Sequence, residues 1–303
     1  MIESRPIYCN FLNFKLEVQT DFPGIEAVLS RLGCVIISET FPDRKIIFEG
    51  DSYPPFPVAM KPGSGLYRQF SAGESALIYQ TAGIASSLFA SDEAITVRVP
   101  LCGSGHRLPE ALVELPLLLF LQSRGYHPLH ASGGMLGAGI LFAGKSGCGK
   151  SSLAGLLLEL GGKVLADDRV YLFRRDDGKL NCRSGQPVLS LRHKLKSGSE
   201  GEIRLNPEIP RPDSSLDAMA PEVLLFPRFR ITEAPFLEKI SASEAVMNLI
   251  PLSLPVDCGG GLGVMASLAK QCESYYLNLP ASSPARAETR LLLQERFLQT
   301  LRI

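Results

Sequence analysis

The spacing of apolar positions along the 303-residue chain changes character near residue 100. Up to about Pro100, short runs of strand type recur: Phe14 to Val18, Val35 to Ser38, Lys45 to Phe48, Ser75 to Gln80 and Ala94 to Val99. Turn formers such as Phe41-Pro42-Asp43 and Pro54-Pro55 separate them, so this part reads as β-rich. Pro23 to Leu32 predicts one short helix, with its proline in the first turn. Beyond a polar, glycine-containing joint at Leu101 to Arg107, helical spacing enters. Pro109 to Arg124 predicts a helix with Leu112, Leu115 and Leu119 as its apolar stripe and Pro116 as a candidate kink.

Strand and helix patterns then alternate. Ile140 to Ala143 suits a buried strand. Leu153, Leu156, Leu157 and Leu160 have the spacing of a helix over Ser151 to Leu160. Lys163 to Ala166 predicts the next strand. Arg169 to Arg174 and Lys179 to Arg183 predict a hairpin turning at Asp176-Asp177-Gly178. Glu222 to Phe226 predicts a strand. Ser241 to Leu249 predicts a helix opened by a capping box of Ser241 and Glu244. Val264 to Cys272 and Pro284 to Leu301 predict two more helices, the last with Leu291, Leu292 and Phe297 inward. Ahead of Glu222, Leu195 to Leu216 reads as a long, mobile loop near the active site, of the sort that often closes over a substrate. These patterns predict two units: a β-rich unit over 1–107, of no assignable role, and an α/β unit over 108–303.

Composition narrows the setting. Net charge is zero, from 31 basic and 31 acidic residues, and no basic run points to nucleic acid. The seven cysteines are scattered without a C-x-x-C pair, which suits a reducing compartment rather than a disulfide or zinc framework. The apolar stretch Ala111 to Leu121 contains Glu114 and Pro116 and is too short to span a bilayer. The expectation is a cytoplasmic protein with no membrane and no nucleic-acid partner.

The chemistry concentrates at Gly144 to Ser151, GKSGCGKS, which fits G-x-x-x-x-G-K-[ST] at each fixed position. A strand pattern precedes it and a helix pattern follows, as a phosphate loop requires. Gly144, Gly147 and Gly149 let backbone N–H groups converge on one anion, with Lys145, Ser146 and Cys148 between them contributing N–H groups of their own. The helix start at Lys150, Ser151 and Ser152 adds its positive dipole end. Lys150 brings a full charge to the phosphates, and the Ser151 hydroxyl suits Mg²⁺. A plain glycine turn before a helix has no use for that Lys-Ser pair.

The second signal is Asp167-Asp168, at the end of the next predicted strand. Adjacent strand side chains point to opposite faces, so the two acids are expected to have different jobs: one holds Mg²⁺, the other accepts a proton from a hydroxyl. His130 is placed on the strand expected to pair with Ile140 to Ala143.

Taken together, Leu129-His130-Ala131, GKSGCGKSS and LADDRV resemble the C-terminal domain of bacterial HPr kinase/phosphorylase and its divergent relatives, over about Leu129 to Val170. The resemblance implies a P-loop kinase fold of the HPr kinase and phosphoenolpyruvate carboxykinase type. It also implies ATP and Mg²⁺ as cofactors and phosphoryl transfer to a serine. By that resemblance Asp168 is the catalytic base, His130 an active-site residue, Lys150 with the loop the phosphate ligands and Ser151 a Mg²⁺ ligand; of the acid pair this leaves Asp167 as the one expected to hold Mg²⁺. Family members often form rings, so a homo-oligomer is an open alternative. The sequence departs from the family at Ser190, where an acidic metal ligand would stand, and in the late glycine turn Val256 to Gly261, which lacks an arginine. Arg192, Arg228 and Arg230 are the candidate replacements for that cation. The expected function is an ATP- and Mg²⁺-dependent kinase acting on a hydroxyl-bearing peptide, protein or small molecule. The alternative is a nucleotide-binding regulator or slow NTPase.

Overall fold

A computed structural model describes residues 6–20, 22–38, 40–51, 65–71, 74–81, 84–91, 93–100, 108–185, 192–194, 202–204, 216–253, 261–280 and 286–298. The chain is mixed α/β with several sheets and packs as two units, 1–124 and 125–303.

The first unit is built on β1 (Ile7–Phe11), β2 (Phe14–Thr20), α1 (Ile25–Arg31), β3 (Val35–Ile36), β4 (Arg44–Asp51), β5 (Gly65–Ser71), β6 (Glu74–Thr81), β7 (Ile84–Ala90), β8 (Ala94–Pro100) and α2 (Glu110–Ser123). Its strands form one sheet in the order β3-β1-β2-β4-β8-β7-β6-β5. The sequence pattern supplies β2, β3, β4, β6, β8 and α1 and passes over β1, β5 and β7. Helix α2 belongs to this unit, so the division falls at 124/125 and not at 107/108. The reason is packing. The Phe120 ring meets Phe14 edge-on at 5.2 Å, and Glu110 at the helix start accepts from Arg31 of α1 at 3.0 Å. Nor does α2 carry a single stripe: Leu112, Val113, Leu115, Leu117, Leu118, Phe120 and Leu121 are all buried, so most of its circumference is covered. Pro116 sits within the continuous helix, and Pro109 is its N-cap residue.

The second unit contains β9 (His127–Leu129), β10 (Ala131–Leu136), β11 (Ala138–Ala143), α3 (Lys150–Glu159), β12 (Lys163–Ala166), β13 (Val170–Arg174), β14 (Leu180–Ser184), β15 (Arg192–Lys194), β16 (Glu202–Arg204), β17 (Ala218–Met219), β18 (Val223–Arg230), β19 (Phe236–Lys239), α4 (Ala242–Leu249), α5 (Gly261–Gln271), β20 (Glu273–Pro280) and α6 (Arg286–Leu293). The main sheet has the order β12-β10-β11-β18-β20-β19. Strands β11 and β12 both run antiparallel to β10, while β11, β18 and β20 run parallel. The carboxyl ends of β11, β12, β18 and β20 therefore share one edge of the sheet.

Side-chain alternation sends each strand into two cores. Ile140, Phe142, Val223, Leu225 and Leu277 pack under α3 and α6. Leu141, Ala143, Leu224 and Phe226 face the other way, toward α4, α5 and the second sheet, β17-β14-β13-β9. The predicted hairpin is β13–β14. The predicted cap is formed too: Ser241 Oγ accepts from the Glu244 N–H at 3.2 Å. Of the residues expected inward on the last helix, Leu291 is instead exposed and Leu293 is fully buried. The sequence pattern does not pick out β20, the strand between β18 and β19. Most of the Leu195 to Leu216 loop, Ser190, and Val256 to Gly260 of the late glycine turn lie outside the described residues.

Candidate functional site

The site grows from the shared strand edge. Strand β11 ends at Ala143, which pairs with Ala131 at the start of β10, and β12 ends at Ala166, which pairs with Gly133. The glycine loop and the acid pair thus leave the sheet on either side of the residue that enters β10, His130. This corrects the sequence expectation for His130. It is not on a strand but at the joint between β9 and β10, which belong to different sheets. Its backbone N–H donates to Leu252 O at 2.9 Å, which fixes the joint against the segment after α4.

The loop from Gly144 to Gly149 follows directly. Gly147 and Gly149 have φ of 84° and 98°, the left-handed region where a side chain is strained. At Gly144 a Cβ would stand 2.7 Å from Cys148 Sγ, so any larger residue would make the Cys148 side chain shift. Lys145, Ser146 and Gly147 form the exposed tip, and Cys148 is half-buried. Helix α3 then starts at Lys150 with Gly149 as its N-cap, and no side chain caps its first turn. Its first N–H groups therefore have no intrahelical or side-chain cap partner, the condition that suits an anion at a helix start.

Lys150 is buried and its ammonium is held by three acceptors. Nζ donates to Gly144 O at 2.7 Å and Lys145 O at 3.1 Å, and stands 2.9 Å from His130 Nε2. An ammonium has three donors and no acceptor, so Nε2 must be the acceptor. That assigns the ring proton to Nδ1, which faces Asp168 Oδ1 at 3.4 Å. The result is a chain from Asp168 through neutral His130 to Lys150. The electrostatics agree. Burial first, and the Lys150 charge second, hold His130 below the usual imidazole range, against the pull of Asp168. Burial holds Lys150 below the usual lysine range, against Cys148 and Asp168.

The two acids lie in the bend just past β12, not on the strand, and they differ in exposure. Asp167 is buried, whereas the Asp168 side chain is 54% exposed. Ser151 Oγ donates to Asp167 O at 3.3 Å, tying the start of α3 to the end of β12. Ser152 is exposed beside it. Among the described residues no group of three or more His, Cys, Asp or Glu forms a protein cage for a metal. A serine hydroxyl and an aspartate carboxylate are oxygen donors of the kind Mg²⁺ takes, since Mg²⁺ uses one or two protein oxygens and fills its octahedron with phosphate and water; the contact seen here is from Ser151 Oγ to the Asp167 backbone carbonyl.

A third group on the same sheet face was not legible as a unit. Arg228 Nε donates to Asn278 Oδ1 at 2.7 Å, its NH2 pairs with Glu238, and its guanidinium lies 3.6 Å above the Tyr276 ring. Asn248 of α4 donates to Tyr276 Oη at 3.0 Å. These residues come from four separate elements, and no local pattern joins them.

No family model and no curated protein matches the chain. Among solved structures, it is similar to one described as the Hpr(Ser) kinase/phosphatase from Coxiella burnetii. Identity is 14%, the match covers 57% of this chain and 92% of that one, and the TM-score is 0.34. A likeness of that size carries no functional argument. No helix among the described residues is long and apolar enough to cross a membrane.

Proposed function

We propose that the second unit is an ATP- and Mg²⁺-dependent kinase of the HPr-kinase-like type that phosphorylates a serine or other hydroxyl. The observation that supports it is the Asp168–His130–Lys150 chain at the mouth of a glycine loop. In it a cation, an orienting ring and a carboxylate follow one another in a line. Phosphoryl transfer needs positioning and charge neutralisation more than covalent help from the protein. The loop N–H groups and Lys150 hold the terminal phosphates. Ser151 and Asp167 hold Mg²⁺, which supplies further neutralisation of the phosphate oxygens. Asp168, reachable from solvent, takes the hydroxyl proton as the oxygen–phosphorus bond forms and the bond to ADP breaks. The products are a phosphoester, ADP and one proton. His130, with its proton on Nδ1, orients Asp168 and keeps Lys150 in place.

The acceptor is a hydroxyl-bearing peptide, protein or small molecule. The exposure of Asp168 also favours a second reading, a nucleotide-binding regulator or slow NTPase in which water takes the place of the hydroxyl. Incubation of the full chain with γ-labelled ATP and cell extract separates them. A labelled acceptor supports the kinase; labelled free phosphate alone supports the NTPase.

A further inference from the structure

Two cysteines, Cys9 and Cys34, are brought together in the first unit by different elements. Cys9 is the middle residue of β1, paired with Leu16 on β2 and with Ile36 on β3. Cys34 stands two residues before Ile36, just past α1, and its place is fixed by the turn that closes that helix. Gly33 has φ of 94°, its N–H donates to Ser30 O at 3.1 Å, and the Cys34 N–H donates to Leu29 O at 2.9 Å. Both thiols are buried, and they are hydrogen-bonded to each other.

That contact sets the pair apart from the buried cysteines of the second unit. Cys182 Sγ donates to Met219 O at 3.4 Å and Cys272 Sγ to Pro221 O at 3.3 Å, so each rests on a main-chain carbonyl. Burial pushes both of these thiols up, that of Cys272 to about 12. A thiol held in this way stays protonated and inert. Cys9 and Cys34 hold each other instead. The hydrogen bond from Cys34 keeps Cys9 below the usual thiol range, against the effect of burial. The same bond, with burial and the Cys9 charge, pushes Cys34 well above that range. One sulfur is set to ionise while its neighbour keeps the proton, which is the asymmetry of an attacking and a resolving thiol.

A small reagent has a way in. Strand β3 is two residues long and lies at the sheet edge, with Val35 57% and Ile36 42% exposed. It is held to β1 by the pairs Cys9–Ile36 and Asn10–Val35, and by the Ile37 N–H donating to Tyr8 O at 2.9 Å. So short an edge opens locally more often than the sheet unfolds, and its opening uncovers the sulfurs behind it.

We propose that Cys9 and Cys34 form a reversible thiol–disulfide switch, closed by a low-molecular-weight disulfide of the glutathione type, that fastens β3 and the end of α1 to β1. The inference is independent of the kinase reading. The Cys9 thiolate attacks one sulfur of the small disulfide, and the other half leaves as a thiolate. Cys34 gives its proton to that thiolate and attacks Cys9 Sγ of the mixed disulfide, and the second half leaves. Two protein thiols and one small disulfide become one protein disulfide and two small thiols. A reducing compartment keeps the pair open, and an oxidising shift closes it.

The test equilibrates the folded, full-length chain in glutathione buffers from reduced to oxidised. Each sample is then alkylated in denaturant, digested and mapped by mass spectrometry. Amide hydrogen exchange at Ile37 and thermal unfolding are followed in parallel. The expected result is a disulfide joining the Cys9 and Cys34 peptides, reversed by dithiothreitol. Exchange at Ile37 slows by about 10-fold or more, and the unfolding temperature rises by about 5 °C or more. Cys9→Ala and Cys34→Ala show neither change in the same buffers. Where an alanine variant does not fold, the peptide map and the exchange rate of the parent chain decide. The inference is overturned if both thiols are still free in the oxidised buffer, or if glutathione stays on one of them as a mixed disulfide. It is overturned equally if the bridge forms without slowing exchange at Ile37, or if Cys9→Ala shows the same slowing, because another cysteine is then responsible. Mg-ATP binding enters none of these outcomes, so the switch and the kinase reading fail separately.

Discussion

Nε2 of His130 stands 2.9 Å from Nζ of Lys150, while Nδ1 of the same ring faces Asp168 at 3.4 Å. One neutral imidazole thus separates the site's buried cation from its exposed carboxylate, and its protonation state is coupled to both. Burial and Lys150 depress the His130 pKa in the folded chain. As pH falls, the unfolded chain therefore takes up this proton first, near the ordinary imidazole value of about 6.5. The stability His130 contributes is present above that value and is lost as pH falls below it. Between about pH 7.5 and about pH 5.5, the parent chain should lose more unfolding free energy than His130→Gln. Urea midpoints at both pH values measure this, and equal losses would contradict the neutral-ring assignment.

Lys150→Ala removes the only charge that the loop itself buries. Nucleotide affinity should fall, and phosphoryl transfer should drop by about 10²–10³-fold, the range for loss of one strong transition-state donor. Lys150→Arg should not restore it, because three acceptors fitted around a compact ammonium do not fit a planar fork.

Asp168→Asn keeps the size and the contact with His130 but removes the basic oxygen. Mg-ATP affinity should stay within a few-fold of the parent, while transfer falls by about 10²–10⁴-fold. Calorimetric titration and a labelled-phosphate assay on the same preparation check both halves. Full transfer by this variant would remove Asp168 from the role of base.

Asp167→Ala should behave differently from Asp168→Asn. Its effect should appear as a raised Mg²⁺ requirement, by about 10-fold or more, with activity partly recovered at high Mg²⁺. A Mg²⁺ titration of activity at fixed nucleotide distinguishes the two acids.

Gly134→Ala tests the sheet edge that brings loop and acids together. A Cβ at Gly134 would stand 2.0 Å from Lys163 O on β12. The register between β10 and β12 shifts there, between Gly133 and Gly134. Destabilisation of about 1–3 kcal/mol is expected from such overpacking, read from the denaturant midpoint.

The local pattern of the chain determined the strand–glycine loop–helix sequence around Gly144 to Ser151, the strand ending at Asp167-Asp168, the β13–β14 hairpin and the Ser241 cap. All of these depend on residues a few positions apart, where period, turn chemistry and capping act directly. Tertiary structure decided what lies between and around them. That β10 separates β11 from β12, and so sets His130 between loop and acids, depends on strand pairing across more than twenty residues. That Phe120 packs on Phe14, moving α2 to the first unit, depends on a contact across about a hundred. Arg228, Glu238, Tyr276 and Asn278 meet only because β18, β19 and β20 lie side by side. Burial and pairing between distant segments are settled by the free energy of the whole fold, and no local period records them.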